Sequence, residues 1–121
     1  MIMKNIFKNS LFLFCFILLS CNSQNKINFT FINHSPNKIE DIILTTSYNN
    51  KDSIQIRSLD INKSLTREFN LNSKNKGEAN FILQMNGDTL NSNFGYIENG
   101  KSSYKNIEIE LKSDTAIIKQ N

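Results

Sequence analysis

The amino-acid sequence predicts an all-β protein, a single antiparallel β-sandwich of seven to eight strands. Apolar and polar residues alternate with a period of two along most of the chain after residue 26, which is typical of strands with one buried face. Turn-forming residues recur about every ten residues, and no helical pattern longer than two turns occurs after residue 20. Each sheet then has one apolar face, so we expect two sheets that bury these faces together. A small barrel is the alternative.

The first half of the predicted domain supplies four strands. The first strand alternates isoleucine and phenylalanine with polar residues, and the Asn-His-Ser-Pro-Asn sequence that follows it predicts a turn. The second strand changes phase between Ile39 and Ile42, which indicates a bulge. Asn49 to Asp52 form the next predicted turn. These strands cover residues 27–31, 39–48, 54–61 and 65–71.

The second half contains the two strongest hairpin signals, Asn86-Gly87 and Asn99-Gly100. Both central residues of a type I′ turn need φ above zero, which asparagine and glycine adopt most readily. Gly95 lies inside a strand and indicates a bulge or a close approach of another group to the backbone. The predicted strands cover residues 79–85, 90–97, 104–111 and, as an eighth, 117–118. Short strands at this spacing predict a sandwich of the immunoglobulin-like kind.

The N-terminus has the features of a signal peptide. Lys4 and Lys8 precede an unbroken run of nine apolar residues, 11–19. As a helix, this run would be about 13 Å long, far short of the ~30 Å hydrocarbon core of a bilayer. We therefore predict that it directs export and is not a membrane-spanning helix of the mature protein.

The run ends in Leu18-Leu19-Ser20-Cys21, which resembles the sequence that the lipoprotein signal peptidase recognises in bacteria. This resemblance implies that a diacylglycerol is attached to the Cys21 sulfur, that the chain is cleaved before Cys21, and that the new amine is acylated. The predicted parts are a lipoprotein signal peptide (1–20), the lipidated cysteine and a tether (21–26), and the β-sandwich (27–121). The alternative is an ordinary secretory signal with Cys21 as a free thiol.

Processing would change the charge and the cysteine content of the chain. The full sequence has 14 Lys+Arg and 11 Asp+Glu, and removal of Lys4 and Lys8 leaves 12 against 11, a net charge of +1. This balance gives no reason to expect nucleic acid as a partner. Cys15 lies in the removed segment and Cys21 would be lipidated, so no disulfide is predicted.

The polar motifs of the mature chain predict no catalytic residue, no metal site and no cofactor. His34 adjoins Ser35, but adjacency supplies neither an orienting acid nor an oxyanion hole, so we interpret His34 as a solvated turn residue. Residues 60–64 resemble the start of a calcium loop and lack the glycine and glutamate that complete it. Glu108 and Glu110 share one strand face, which we interpret as solvated.

The most distinctive mature segment is Phe-Gly-Tyr-Ile-Glu-Asn-Gly at 94–100. It resembles a stretch in small uncharacterised lipoproteins of the Bacteroidota type. That group has no established activity, so the resemblance implies none for this chain. We interpret most of it as a core corner followed by a tight turn. Tyr96 and Tyr104 are the residues we nominate as a partner-binding surface, because tyrosine is enriched among binding anchors.

These observations predict a non-enzymatic cell-envelope lipoprotein that binds or scaffolds another envelope component. Its partners would be the membrane, through the lipid anchor, and an envelope protein of unknown identity. The alternative is a periplasmic inhibitor or immunity protein against a wall-degrading enzyme. Asn22 follows the cysteine, and residues 22–26 contain no carboxylate. By resemblance to lipoprotein sorting signals, this favours the outer membrane and its periplasmic face.

Overall fold

The computed structural model describes residues 25–48 and 52–121. The predicted signal peptide, Cys21 and the tip of the turn at 49–51 lie outside the described residues. Nine strands form within these ranges, and no helix there is long and apolar enough to cross a membrane. The strands are β1 (Lys26–Asn33), β2 (Ile39–Thr46), β3 (Ile54–Leu59), β4 (Ser64–Asn70), β5 (Glu78–Met85), β6 (Asp88–Glu98), β7 (Lys101–Ser102), β8 (Asn106–Leu111) and β9 (Ala116–Gln120).

The strands form two packed sheets, so the predicted all-β sandwich is confirmed. One sheet has the order β4-β1-β8-β9 and the other has the order β3-β2-β5-β6-β7. All neighbouring strands are antiparallel except β1 and β8, which run parallel. The strand beyond the predicted eight is β7, which has only two residues. β1 is an interior strand, hydrogen-bonded to β4 on one side and to β8 on the other.

Phenylalanine side chains fill the centre of the core between the sheets. Phe29 and Phe81 have no exposed surface, and they come from opposite sheets. Their ring centroids are 4.8 Å apart in an edge-on arrangement, and Phe69 packs edge-on against Phe81 at 5.1 Å. Such geometry places the positive ring edge against a negative ring face. Buried residues alternate with more accessible ones along β1 and β5, which places Phe29 and Phe81 inward.

Both predicted Asn-Gly turns are confirmed by their backbone angles. Asn86 and Gly87 have φ of 52° and 83°, and Asn99 and Gly100 have φ of 50° and 72°. The first turn joins β5 to β6, and the second joins β6 to β7. The second turn also packs against the segment after β4, because a Cβ on Gly100 would overlap the Asn72 carbonyl.

The predicted phase change in the second strand occurs at Asp41, which has φ of 54°. The register with β3 does not slip across this point: Ile39 pairs with Leu59, and Ile42 pairs with Ile56. All four of these side chains are buried. The two strands therefore change face together, and their apolar residues stay paired. No residue is inserted here, so the predicted bulge is absent.

β6 is irregular along its length, and Gly95 lies at a close approach between the sheets. The pairing of β5 with β6 shifts register between Ala79 and Phe81 and twice more before Met85. Gly95 has φ of 64°, and a Cβ at this position would lie 2.5 Å from Cδ2 of Phe81. The Gly95 N–H donates to Oε1 of Gln120 at 2.6 Å. Only glycine lets the backbone pass this close to the Phe81 ring.

Gly95→Ala is expected to lower the free energy of unfolding by about 2–4 kcal/mol. The new side chain strains the backbone, because φ is positive, and its Cβ also collides with the Phe81 ring. The matched control is Gly87→Ala, where φ is also positive but nothing lies within 4 Å of the new Cβ. That control should cost only the strain of about 1–2 kcal/mol. Urea unfolding of both variants measures the difference. Equal costs would show that the Phe81 contact relaxes freely.

Candidate functional site

The two ends of the sandwich carry different sets of side chains. We call the end where β1 begins the tether end, and it also carries the β4–β5 loop (71–77), the β6–β7 hairpin and Lys105. We call the opposite end the far end, and it carries the turns at 34–38, 60–63, 86–87 and 112–115. The register of β1 with β4 and β8 fixes this division, because Lys26 pairs with Asn70 and Asn33 pairs with Leu111.

An open cleft of about 500 Å³ lies at the tether end. It is lined by Tyr96, Glu98, Asn99, Lys101 and Ser103, which belong to β6, the hairpin turn and the segment after it. The β6–β7 hairpin therefore supplies most of the lining. The cleft combines an aromatic ring, a carboxylate, an amide, an ammonium group and a hydroxyl, which suits a polar ligand or surface.

Tyr96 is the largest exposed aromatic side chain among the described residues, with 43% of its surface accessible. Its hydroxyl donates to Oε1 of Glu78 at 2.8 Å. This hydrogen bond to a carboxylate raises the pKa of Tyr96 to about 12, so the phenol stays protonated at physiological pH. The bond fixes the hydroxyl and leaves the ring accessible, which places Tyr96 at the edge of the sandwich, outside the core.

A second tyrosine, Tyr48, holds the wall of the cleft in place. Its hydroxyl donates to the Gly77 carbonyl at 2.6 Å and accepts the Gly100 N–H at 3.2 Å. Asn99 adds two bonds to the same residue: its N–H donates to the Gly77 carbonyl at 2.9 Å, and its Oδ1 accepts the Gly77 N–H at 2.8 Å. A Cβ on Gly100 would overlap the Asn72 carbonyl. The hairpin is thus locked against the β4–β5 loop.

The other nominated residue, Tyr104, does not line the cleft. Its ring is half-buried and packs against the hydrophobic core. Its N–H donates to Oγ of Ser102, whose side chain is almost fully buried. The structure therefore brings Tyr96 to the cleft and places Tyr104 beside the core, so the two do not form one exposed pair.

The far end carries a charged cluster that the sequence did not reveal. Nδ1 of His34 lies 2.6 Å from Oε1 of Glu110, and Nζ of Lys112 lies 2.9 Å from the same oxygen. The hydrogen bond with His34 has the largest effect on the Glu110 carboxyl, and the one with Lys112 has the next largest. Together they lower the pKa of Glu110 to about 2. Glu110 is therefore a partnered carboxylate, not simply a solvated one. His34 is exposed, as a turn residue was predicted to be.

Ser35 does not complete a nucleophilic set with this histidine and carboxylate. Its Oγ lies 2.7 Å from Oδ1 of Asn33 and 2.6 Å from the Asn37 carbonyl. Asn33 is fully buried, and its amide nitrogen donates to the Asn37 and Leu59 carbonyls. The hydrogen bonds of the Ser35 hydroxyl therefore stabilise the turn after β1. Residues 60–63 also close a turn, through the Lys63 N–H and the Asp60 carbonyl.

Stability should fall in acid through Glu110. A carboxyl whose pKa is lowered by folding stabilises the protein above its unfolded pKa, and that contribution is lost as the pH falls from about 4.5 to about 2. Glu110→Gln should therefore reduce stability at pH 6, and the difference from the wild type should shrink towards pH 2. The control is Glu108→Gln, on the same strand face. Urea unfolding across this pH range measures it, and a difference independent of pH would contradict the assignment.

No group of three histidine, cysteine or carboxylate side chains in residues 25–48 and 52–121 is placed to hold a metal ion. The sequence pointed to Tyr96 through its neighbours Gly95 and Asn99-Gly100, and of these residues Tyr96 and Asn99 line the cleft. No local sequence pattern indicated that Tyr48 would bridge Gly77 and Gly100, or that Glu78 would accept a hydrogen bond from Tyr96. Both depend on which loops meet at one end of the sandwich.

The comparisons with known proteins assign no family. No protein-family model and no curated protein matches the chain. Among solved structures, the chain is similar to one described as the NMR structure of the protein from Eubacterium rectale. The identity is 10%, the TM-score is 0.42, and the match covers 80% of this chain and 89% of that one. The functional assignment therefore depends on the residues of this chain.

Proposed function

We propose that this protein is a cell-envelope lipoprotein, anchored through Cys21, whose β-sandwich binds or scaffolds another envelope component without catalysing a reaction. The observation that carries the proposal is the lipobox-like sequence Leu18–Cys21 followed almost at once by a folded domain. β1 begins at Lys26, five residues after the cysteine, and it is an interior strand of its sheet. A mature chain that starts at Cys21 keeps every described strand.

Two further observations support a binding role. The candidate catalytic side chains have structural tasks: Ser35 closes a turn, and Glu110 pairs with His34 and Lys112. In contrast, the tether end presents a rigid cleft with an exposed aromatic ring whose hydroxyl is already fixed by Glu78. A pre-organised aromatic side chain loses little conformational entropy when it binds, which favours its use as an anchor.

The location follows from the residues after the anchor. Asn22 stands where a retention signal for the inner membrane would place aspartate, and residues 22–26 carry no carboxylate. We therefore propose the outer membrane, with the domain facing the periplasm. A component of the periplasmic space or of the membrane surface is then the expected ligand.

Tyr96→Ala should weaken the capture of native envelope membranes by the immobilised domain, residues 22–121, by at least five-fold. It should change the free energy of unfolding by less than about 1 kcal/mol, because Tyr96 is an exposed residue outside the core, with 43% of its surface accessible. The control is Ile117→Ala, which removes another exposed apolar side chain, in β9. The captured material is then identified by mass spectrometry and lipid analysis.

The outcomes of this experiment separate the candidate functions. Phospholipid or a membrane complex supports the binding or scaffold role, whereas recovery of a wall-degrading enzyme would favour the inhibitor alternative. Unchanged capture by Tyr96→Ala, or a loss of stability as large as that of a core variant, would remove Tyr96 from the binding surface.

A further inference from the structure

We propose that the tether end of the sandwich lies against the phospholipid headgroups, with Lys101 of the Tyr96 cleft and the other lysines of this end facing the headgroup phosphates. This inference rests on the proposed lipidation of Cys21 and names the envelope component that the cleft meets first. The occupant of the cleft is then the surface of the bilayer that holds the anchor.

The length of the tether restricts how the domain can be oriented. Four Cα–Cα steps separate Cys21 from Asn25, the first described residue, and they span at most about 14 Å when fully extended. An eight-residue strand such as β1 is about 27 Å long. The tether is therefore too short for the domain to turn over and rest on its far end alone while the anchor is inserted. The tether end stays near the headgroups.

The cleft adjoins the point where the tether enters the domain. The Asn25 carbonyl accepts the Leu71 N–H at 2.7 Å. The next residue, Asn72, is in backbone contact with Gly100, at the centre of the hairpin that forms the cleft. A short chain of contacts thus connects the tether to the cleft. A surface that the anchor brings close to the domain is therefore also close to the cleft.

The charges of the two ends favour the same orientation. Among the described residues, the tether end exposes five lysines: Lys26, Lys74, Lys76, Lys101 and Lys105. Its carboxylates are Asp52, Glu68, Glu78 and Glu98. Glu78 accepts the Tyr96 hydroxyl, and Glu68 faces Lys26 at 3.9 Å. The far end is richer in carboxylates, with Glu40, Asp41, Asp60, Asp88, Glu110 and Asp114 against Lys38, Arg57, Lys63 and Lys112.

This distribution suits a surface of phosphate groups. Lysines near a membrane are attracted to anionic lipids, and the attraction falls off within a Debye length. Tyrosine is enriched at the membrane–water interface, where its ring and its hydroxyl meet apolar and wet surroundings. Tyr96 beside Lys101 and Ser103 provides both kinds of contact at one site.

The test uses the full-length protein, isolated with its anchor and reconstituted into vesicles of phosphatidylcholine and phosphatidylglycerol. In the lipidated mature form, neither natural cysteine offers a free thiol, so an introduced cysteine is labelled uniquely with a fluorophore. Ser103→Cys places the label in the cleft, Ser113→Cys places it at the far end, and Ile117→Cys places it on the side of the sandwich. Quenching by nitroxide-labelled headgroups reports proximity to the bilayer.

We expect quenching at Ser103→Cys to exceed that at Ser113→Cys and Ile117→Cys by at least three-fold. The double variant Lys101→Gln/Lys105→Gln should reduce quenching at Ser103→Cys on these vesicles. Equal quenching at Ser103→Cys and Ser113→Cys, or stronger quenching at Ile117→Cys, would overturn the end-on orientation. No effect of the lysine variant would overturn the role of the lysines.

The experiment distinguishes a protein that lacks the lipid anchor from a lipidated protein whose cleft does not face the bilayer. A protein without lipid would not be recovered with the vesicles, and its Cys21 thiol would itself take the label. A lipidated protein whose cleft label is not quenched by the headgroups, and whose emission changes only when an envelope protein is added, would show that a protein occupies the cleft and would overturn the assignment to lipid.

Discussion

Phe81→Ala is expected to lower the free energy of unfolding by about 3–5 kcal/mol, a large part of the ~5–15 kcal/mol that holds a small domain together. The Phe81 side chain is fully buried, and its ring packs against Phe29, Phe69 and Phe94. These rings come from both sheets, so removing Phe81 leaves a cavity at the point where the sheets meet. The backbone of β6 passes so close to the Phe81 ring that a Cβ on Gly95 would lie 2.5 Å from Cδ2 of Phe81, and this limits how far the site can collapse.

Urea unfolding of residues 22–121 measures this loss. The control is Ile117→Ala, which removes an aliphatic side chain with 47% of its surface exposed and should cost less than about 1 kcal/mol. A cost for Phe81→Ala below about 1.5 kcal/mol would mean that the centre of the sandwich is not packed around this ring.

Cys21→Ala should abolish lipidation and processing together. The thioether needs the Cys21 sulfur, and in the lipoprotein pathway that this sequence resembles, cleavage follows lipidation. Each buried methylene of an acyl chain contributes about 0.8 kcal/mol to membrane affinity, so two or more chains hold a protein stably. The variant should therefore keep residues 1–20 and lose the acyl chains that anchor the mature form.

The sequence offers a matched control in its second cysteine. Cys15 lies inside the apolar run of the signal, and Cys15→Ala should leave processing and anchoring unchanged. Gel mobility and radiolabelled palmitate incorporation distinguish the two variants. Normal processing of Cys21→Ala would show that a different signal peptidase cleaves this chain.

Local patterns predicted those features of the fold that depend on neighbouring residues. The alternation around Phe81 placed the core of β5, and Asn86-Gly87 and Asn99-Gly100 marked turns whose positive φ values are confirmed. Gly95 indicated a close approach, because an isolated glycine in a strand has few other physical reasons to be there. These signals act within a few residues, so they can be interpreted without knowledge of the topology.

Features that depend on topology could not be predicted in this way. His34 and Glu110 are 76 residues apart in sequence, and they meet because β1 and β8 pair in parallel. Tyr48 reaches Gly77 and Gly100 because three separate loops converge at the tether end. The two residues of β7 are too few to show a period. The candidate site was therefore predicted through Tyr96 alone, without Glu78, Tyr48 or the lysines.

The central claim is a β-sandwich anchored to the envelope by lipid on Cys21. The most direct test is mass spectrometry of the N-terminal peptide of the mature protein, isolated from its native membrane. We expect a peptide that begins at Cys21 and carries a diacylglycerol on sulfur and an acyl chain on the amine. A mature protein with an unmodified Cys21 thiol, or one cleaved at another position, would contradict it.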